Sequence, residues 1–164
     1  MRRGEKDMRV FRNKTRLGYI LAIIFGAGMI LGGCAATTTY FYDPVANFST
    51  IKSYVWATES SINQRDLLIE KNVRYYADQS LKNKGFVPAS DKPDFVISMN
   101  YKIDYDNPYK VRMLSLYVYI NQGKELIWQG TAEGTIIRDI KADAASPDLA
   151  EAVKKILMNF PPKR

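Results

Sequence analysis

Between Asp94 and Asp106 apolar and polar residues alternate almost without a break. Phe95, Ile97, Met99, Tyr101, Ile103 and Tyr105 share one parity; Ser98, Asn100, Lys102 and Asp104 share the other. A period of two sends successive side chains to opposite faces of a strand, so this run predicts a long strand with one buried and one wetted face. Strands of a fully covered parallel sheet read instead as continuous apolar runs. The chain is therefore held to a sheet of antiparallel character that carries its cover on one side.

The neighbouring segments extend that sheet. Asn107-Pro108 marks a turn, and Val111 to Asn121 reverses the chain with Leu114, Leu116, Val118 and Ile120 inward and Met113, Tyr117 and Tyr119 outward. Asn121-Gln122-Gly123-Lys124 supplies a hairpin connection. Leu126 to Ile137 is the next strand, with Leu126, Trp128, Ala132 and Ile136 toward the core. Gly130 and Gly134 on it leave room for a helix or mark bulges. Tyr40-Phe41-Tyr42-Asp43 and Ser53-Tyr54-Val55-Trp56-Ala57 are two shorter strands, parted by Pro44, Asn47 and Ser49.

Two helices complete the pattern. Ser61 and Gln64 have the spacing of a capping box, and Ile62, Ile69, Val73, Tyr76, Ala77 and Leu81 form one stripe. Lys82 and Lys84 suit the negative end of the helix dipole, and Gly85 suits a left-handed cap. Ser146-Pro147 opens the second helix; Leu149, Val153, Ile156, Leu157 and Phe160 line it, and Pro161-Pro162 end it. The expected fold is α+β, with an antiparallel sheet of about five strands and two helices on one face, in the order ββαβββα.

Ahead of this body stands a leader. Seven of the chain's 24 basic residues and two of its 17 acidic ones fall within residues 1–33, so +5 of the net +7 is concentrated there. The nearly neutral body removes the main support for nucleic-acid binding. Leu17 to Leu31 is uncharged, and a basic start, an apolar stretch and small residues are the parts of a secretory signal. A start at Met8 would shorten the basic region to Arg9, Arg12, Lys14 and Arg16. The stretch ends in Leu31-Gly32-Gly33-Cys34, which resembles the bacterial lipobox.

That resemblance implies a diacylglyceryl thioether on Cys34, cleavage before it, and acylation of the new amino terminus. Residues 1–33 would then be the signal peptide, 34–39 a lipidated tether and 40–162 a single domain. Ala35 follows the cysteine, in place of the Asp that retains such proteins in the inner membrane of enteric bacteria. Lipid anchorage in the outer membrane, with the body facing the periplasm, is what this implies; inner-membrane anchorage is the alternative. The rival reading of the segment itself is an uncleaved membrane-spanning helix, since no charge occurs from Leu17 to Tyr42.

Composition narrows the chemistry. The chain has no His, which excludes an imidazole base or imidazole metal ligand, and a single Cys, which excludes an internal disulfide. Asp104-x-Asp106-Asn107 is the densest acidic cluster, but it lacks the glycine and terminal glutamate of a calcium loop. Asp94, Asp104 and Glu133 are the carboxylates that acid–base catalysis would need to pair, and no spacing brings them together. No catalytic residue, metal or cofactor is expected beyond the acyl groups on Cys34.

The body also carries a set of short motifs in fixed order. They are Phe48 with Tyr54-x-Trp56, Lys84-Gly85-Phe86, Pro93-Asp94-Phe95, Leu126-Ile127-Trp128-Gln129-Gly130, and Ala152-Val153 with Ile156-Leu157 and Phe160-Pro161-Pro162. Together they resemble the bacterial lipoproteins of the domain of unknown function 4136 family over about residues 40–162. The resemblance implies fold and envelope location, and no reaction. The expected role is a non-enzymatic binding or assembly module. Met113, Tyr117, Tyr119 and Ile127 on the uncovered sheet face are its candidate surface for another envelope protein or a glycan. The alternatives are a hydrolase of envelope polymer and a carrier of an apolar ligand between helices and sheet.

Overall fold

The computed structural model describes residues 36–58, 66–89, 91–120, 122–137 and 147–163. The leader, the Leu31-Gly32-Gly33-Cys34 motif, the Ser61–Gln64 spacing, Ile62 and Ser146 lie outside the described residues. Among the described residues six strands and two helices follow in chain order: β1 Thr37–Tyr42, β2 Ser53–Trp56, α1 Leu67–Asn83, β3 Val87–Pro88, β4 Phe95–Ile103, β5 Lys110–Ile120, β6 Glu125–Ile137 and α2 Pro147–Met158.

The strands form one sheet in the order β1-β6-β5-β4-β2-β3. The sheet is mixed, which corrects the expectation of an antiparallel one of about five strands. β1, β6, β5 and β4 pair antiparallel, whereas β2 runs parallel to both β3 and β4. The cause is α1: a helix between two strands carries the chain back to the end where it started, so the next strand runs in the same sense. β3 escapes the sequence because two residues, one of them Pro88, show no periodicity, and proline is tolerated only at a sheet edge. β1 begins at Thr37, so Thr37 to Thr39 pair with Glu133 to Thr131 rather than serving as tether.

α1 starts at its own cap. The Asp66 carboxylate accepts the amides of Leu68 at 3.0 Å and Ile69 at 3.1 Å, filling two of the free donors at the helix start. The Asp66 amide donates to the Tyr101 hydroxyl, fastening the cap to β4. At the other end Gly85 adopts φ +87°; its amide reaches Lys82 O and that of Phe86 reaches Leu81 O, each at 3.0 Å. That is a Schellman closure. Ile69, Val73, Ala77 and Leu81 of α1 and Leu149, Val153, Ile156 and Leu157 of α2 are buried against the sheet, as the stripes predict.

The core is aromatic, and Phe160 is its hub. Its ring centroid stands 5.1 Å from Trp128, 5.4 Å from Phe86, 5.7 Å from Phe95 and 6.3 Å from Phe48. Rings therefore fill the space between helices and sheet that a carrier of an apolar ligand would have to leave open. Gly130 makes this packing possible. A Cβ there would stand 2.5 Å from the Trp128 ring and 2.8 Å from Ile156 Cγ2, so only glycine lets Trp128 and α2 lie over β6.

Two bulges interrupt β6. Tyr119 pairs with Leu126 and Val118 with Trp128, which leaves Ile127 as an extra residue; a second irregularity falls between Val111 and Met113, opposite Gly134 at φ +142°. The first reverses parity. Ile127 is 1% exposed and belongs to the core, while Leu126 takes the outer position across from Tyr119. The assignment of Ile127 to the open face and of Leu126 to the core is thereby exchanged.

Candidate interaction face

Both described helices lie on one side, so no described element covers the other side of the sheet, and the strand registers arrange its side chains in four cross-strand rows. Leu126, Tyr119, Val96 and Val55 form an apolar row. Beside it run Phe41, Gln129, Tyr117 and Ser98. Thr39, Thr131, Ser115 and Asn100 form a hydroxyl and amide row, and Thr37, Glu133, Met113 and Lys102 a partly charged one. The face thus grades from apolar at the β5–β6 turn to charged at the opposite strand ends.

Met113, Tyr117 and Tyr119 occupy this face as the parity of β5 requires, each half-buried. The rings of Tyr117 and Tyr119 lie 6.4 Å apart with 31° between their planes. Phe41, at the β1 end of the Tyr117 row, is 61% exposed. Between the rings and the charged row, Ser115 Oγ and Thr131 Oγ1 are 2.9 Å apart, and Gln129 Nε2 donates to Thr131 Oγ1 at 3.2 Å. Those contacts hold polar atoms in place on a half-buried surface, where an unpartnered polar atom would be costly. Of the four residues marked by the sequence, the structure brings three together and replaces Ile127 with Leu126. Val96, Val55 and Phe41 are additions, visible only once the strand order is known.

Three carboxylates, by contrast, are engaged in holding the fold. One oxygen of Asp78 on α1 accepts both the Tyr54 hydroxyl at 2.8 Å and the Trp56 indole N–H at 2.9 Å. Arg74 stacks 5.0 Å from the Trp56 ring and donates to Ala57 O at 3.2 Å. The Tyr54 phenol is pushed well above its usual range by burial first and by the Asp78 hydrogen bond and charge second. Asp94 Oδ2 accepts the amides of Lys52 at 2.9 Å and Ser53 at 2.8 Å and the Ser53 hydroxyl at 2.8 Å, clamping the starts of β2 and β4. Asp104 takes the Asp106 amide at 3.1 Å and pairs with Arg112 Nε at 3.4 Å. Among the described residues no three of Cys, Asp and Glu come close enough to hold a metal ion.

Those amides, first Lys52 and then Ser53, hold the Asp94 carboxyl below the usual carboxylate range. A depressed folded pKa stabilises the fold fully above the unfolded value of about 3.9, and the gain is lost as pH falls from there through the lower folded value. Asp94→Asn is accordingly expected to destabilise the protein at pH 7 and to flatten the fall in stability below about pH 4. Urea melts of both proteins across that range check it; parallel pH profiles would count against the clamp.

A surface groove of about 500 Å³ runs between the C-terminal halves of α1 and α2, past Lys84, Glu151, Lys155 and Leu157. Glu151 is paired with Lys154 at 3.6 Å and Lys155 at 3.9 Å. Among the described residues no helix is long and apolar enough to cross a membrane.

The fold has solved relatives. A DUF4136 family protein from Bacteroides thetaiotaomicron superposes with a TM-score of 0.56 at 15% identity, over 79% of this chain and 97% of that one. The PelC dodecamer protein from Paraburkholderia phytofirmans gives 0.55 at 14% identity, over 79% and 99%. A PDZ domain protein from Parabacteroides distasonis gives 0.54 at 14% over 80% of this chain, which spans only 36% of that longer protein. These likenesses establish the shared fold. No curated protein matches in sequence. The aromatic motifs of the body meet in one core around Phe160, and residues 38–162 match the domain of unknown function family DUF4136, so the chain belongs to that family.

Proposed function

We propose that this chain is a lipid-anchored module of the bacterial outer membrane that binds a partner protein non-enzymatically through its uncovered sheet face. The observation that carries the reading is the graded face itself. An apolar row of Leu126, Tyr119, Val96 and Val55 lies beside Tyr117 and Phe41 on a sheet whose other side already supports the whole core. Tyrosines over an apolar strip and bordered by polar groups have the make-up of a protein-binding patch. A hydrolase would need free carboxylates facing one another, and Asp78, Asp94 and Asp104 are each occupied by hydrogen bonds within the fold. Anchorage is supported by the lipobox ending in Cys34, and outer-membrane placement by Ala35 after it.

Two experiments test the two halves of the proposal. Cys34→Ala is expected to abolish palmitate labelling and move the protein from the membrane to the soluble fraction. A labelled, sedimenting variant would refute the anchor. Tyr117→Ser with Tyr119→Ser is expected to remove the species captured by in-envelope crosslinking, with a loss of only about 0.2–1 kcal/mol per cross-strand pair in the melt. Retention of the crosslink would remove this face. Because the PelC relative is a dodecamer, the mass of the captured species also separates a second copy of this chain from a different protein.

A further inference from the structure

The antiparallel registers place four strand ends together: the start of β1, the end of β6, the start of β5 and the end of β4. The β4–β5 connection crosses this end and carries Tyr105, 98% exposed, and Tyr109; Ile137, across from Lys110, is exposed beside them. The same end receives the chain from Cys34. Ala36 packs over Gly134, where a Cβ would stand 3.3 Å from the Ala36 Cα. One residue, Ala35, separates Ala36 from Cys34, and two Cα–Cα steps reach at most about 7 Å. The 11 residues of β5 measure about 36 Å. A tether so much shorter than the body holds this end of the sheet at the surface that carries the lipid.

We propose that this strand end, with Tyr105 at its tip, rests in the headgroup layer of the bilayer that anchors Cys34. The proposal builds on the lipid-anchor reading. Tyrosine suits the layer because its ring is apolar and its hydroxyl is wetted, the pairing that enriches it at membrane interfaces. The connection is held in shape before it meets lipid. The Asp104 amide donates to Lys110 O at 2.8 Å, that of Lys110 to Asn107 O at 2.9 Å, and that of Tyr109 to the Asn107 side chain at 3.0 Å. Tyr105 therefore projects from a fixed turn, and burying its ring orders little that is not already ordered. Among the described residues the charges on these strand ends and their connection are Lys102, Lys110 and Arg112 against Asp104, Asp106 and Glu133, which balance. The matching surface is a zwitterionic headgroup layer, without a requirement for anionic lipid.

The test uses the mature lipidated chain in vesicles of phosphatidylethanolamine and phosphatidylcholine. Cys34, held as a thioether, does not react with a thiol-specific nitroxide, so Asp106→Cys and Val45→Cys each give one labelled site. Val45 is 85% exposed and follows β1 at the opposite end of the sheet. The expected result is loss of collisional broadening by a water-soluble nickel chelate at 106, with broadening retained at 45, at every protein-to-lipid ratio. Equal broadening at the two sites, with the acylated amino-terminal peptide confirmed by mass, overturns the orientation and leaves the anchor standing. Shielding at 106 that vanishes when the protein is diluted in lipid would mean contact between copies and also overturns it. Absence of acyl chains from the peptide overturns the anchor reading, and the orientation with it.

Discussion

Phe160→Ala is expected to lower the unfolding free energy by about 3–5 kcal/mol, read from urea transitions at constant m-value. The side chain is fully buried and touches four rings drawn from four parts of the chain: Phe48 before β2, Phe86 after α1, Phe95 at the start of β4 and Trp128 in β6. Truncation removes the ring's transfer from water and leaves a void that these neighbours cannot close, since each is held by its own element. A loss below about 1.5 kcal/mol would mean that the site collapses, and that the rings are not held as described.

Gly130→Ala is expected to cost about 1–3 kcal/mol although it adds a single methyl group. The backbone of Gly130 is not in the left-handed region, so the penalty is steric. The new Cβ would meet Trp128 at 2.5 Å and Ile156 at 2.8 Å. Trp128 has little freedom to yield, with Phe160 at 5.1 Å on one side and Tyr40 at 6.4 Å on another. Removing the Ile156 branch should relieve part of the clash, so the cost of Gly130→Ala is expected to shrink in an Ile156→Ala background. Strict additivity of the two changes would place the clash elsewhere.

The elements that could be read from the sequence are those whose signal is local. The alternation of Phe95, Ile97, Met99 and Tyr101 and the stripes of α1 and α2 survive in the structure because burial acts on each with the period of its own backbone. Tyr105 shares the parity but lies past the last pair of β4, and there the alternation stops describing burial. Pairing direction was not legible: nothing in Ser53–Trp56 states that its neighbours are β4 and β3, both parallel. Nor was the bulge at Ile127, which depends on two strands disagreeing by one residue. That one event moved Ile127 from the candidate face into the core, while Met113, Tyr117 and Tyr119 kept their places because β5 is regular along that stretch. The cap that starts α1 was hidden for a related reason: Asp66 is fastened to the sheet by Tyr101, a contact 35 residues away in the chain.

The chain's two tryptophans differ in a way that can be seen with light. Trp128 is sealed among rings, and its indole N–H has no partner among the described residues. Trp56 is only partly buried, donates to Asp78 and lies under a guanidinium. The first should emit at the blue end of the indole range, and the second further to the red. During unfolding the Trp128 band reports the moment water enters the ring cluster, while the Trp56 band reports separation of α1 from β2. Native fluorescence therefore resolves, without any added dye, whether the helix leaves the sheet before the interior wets or together with it.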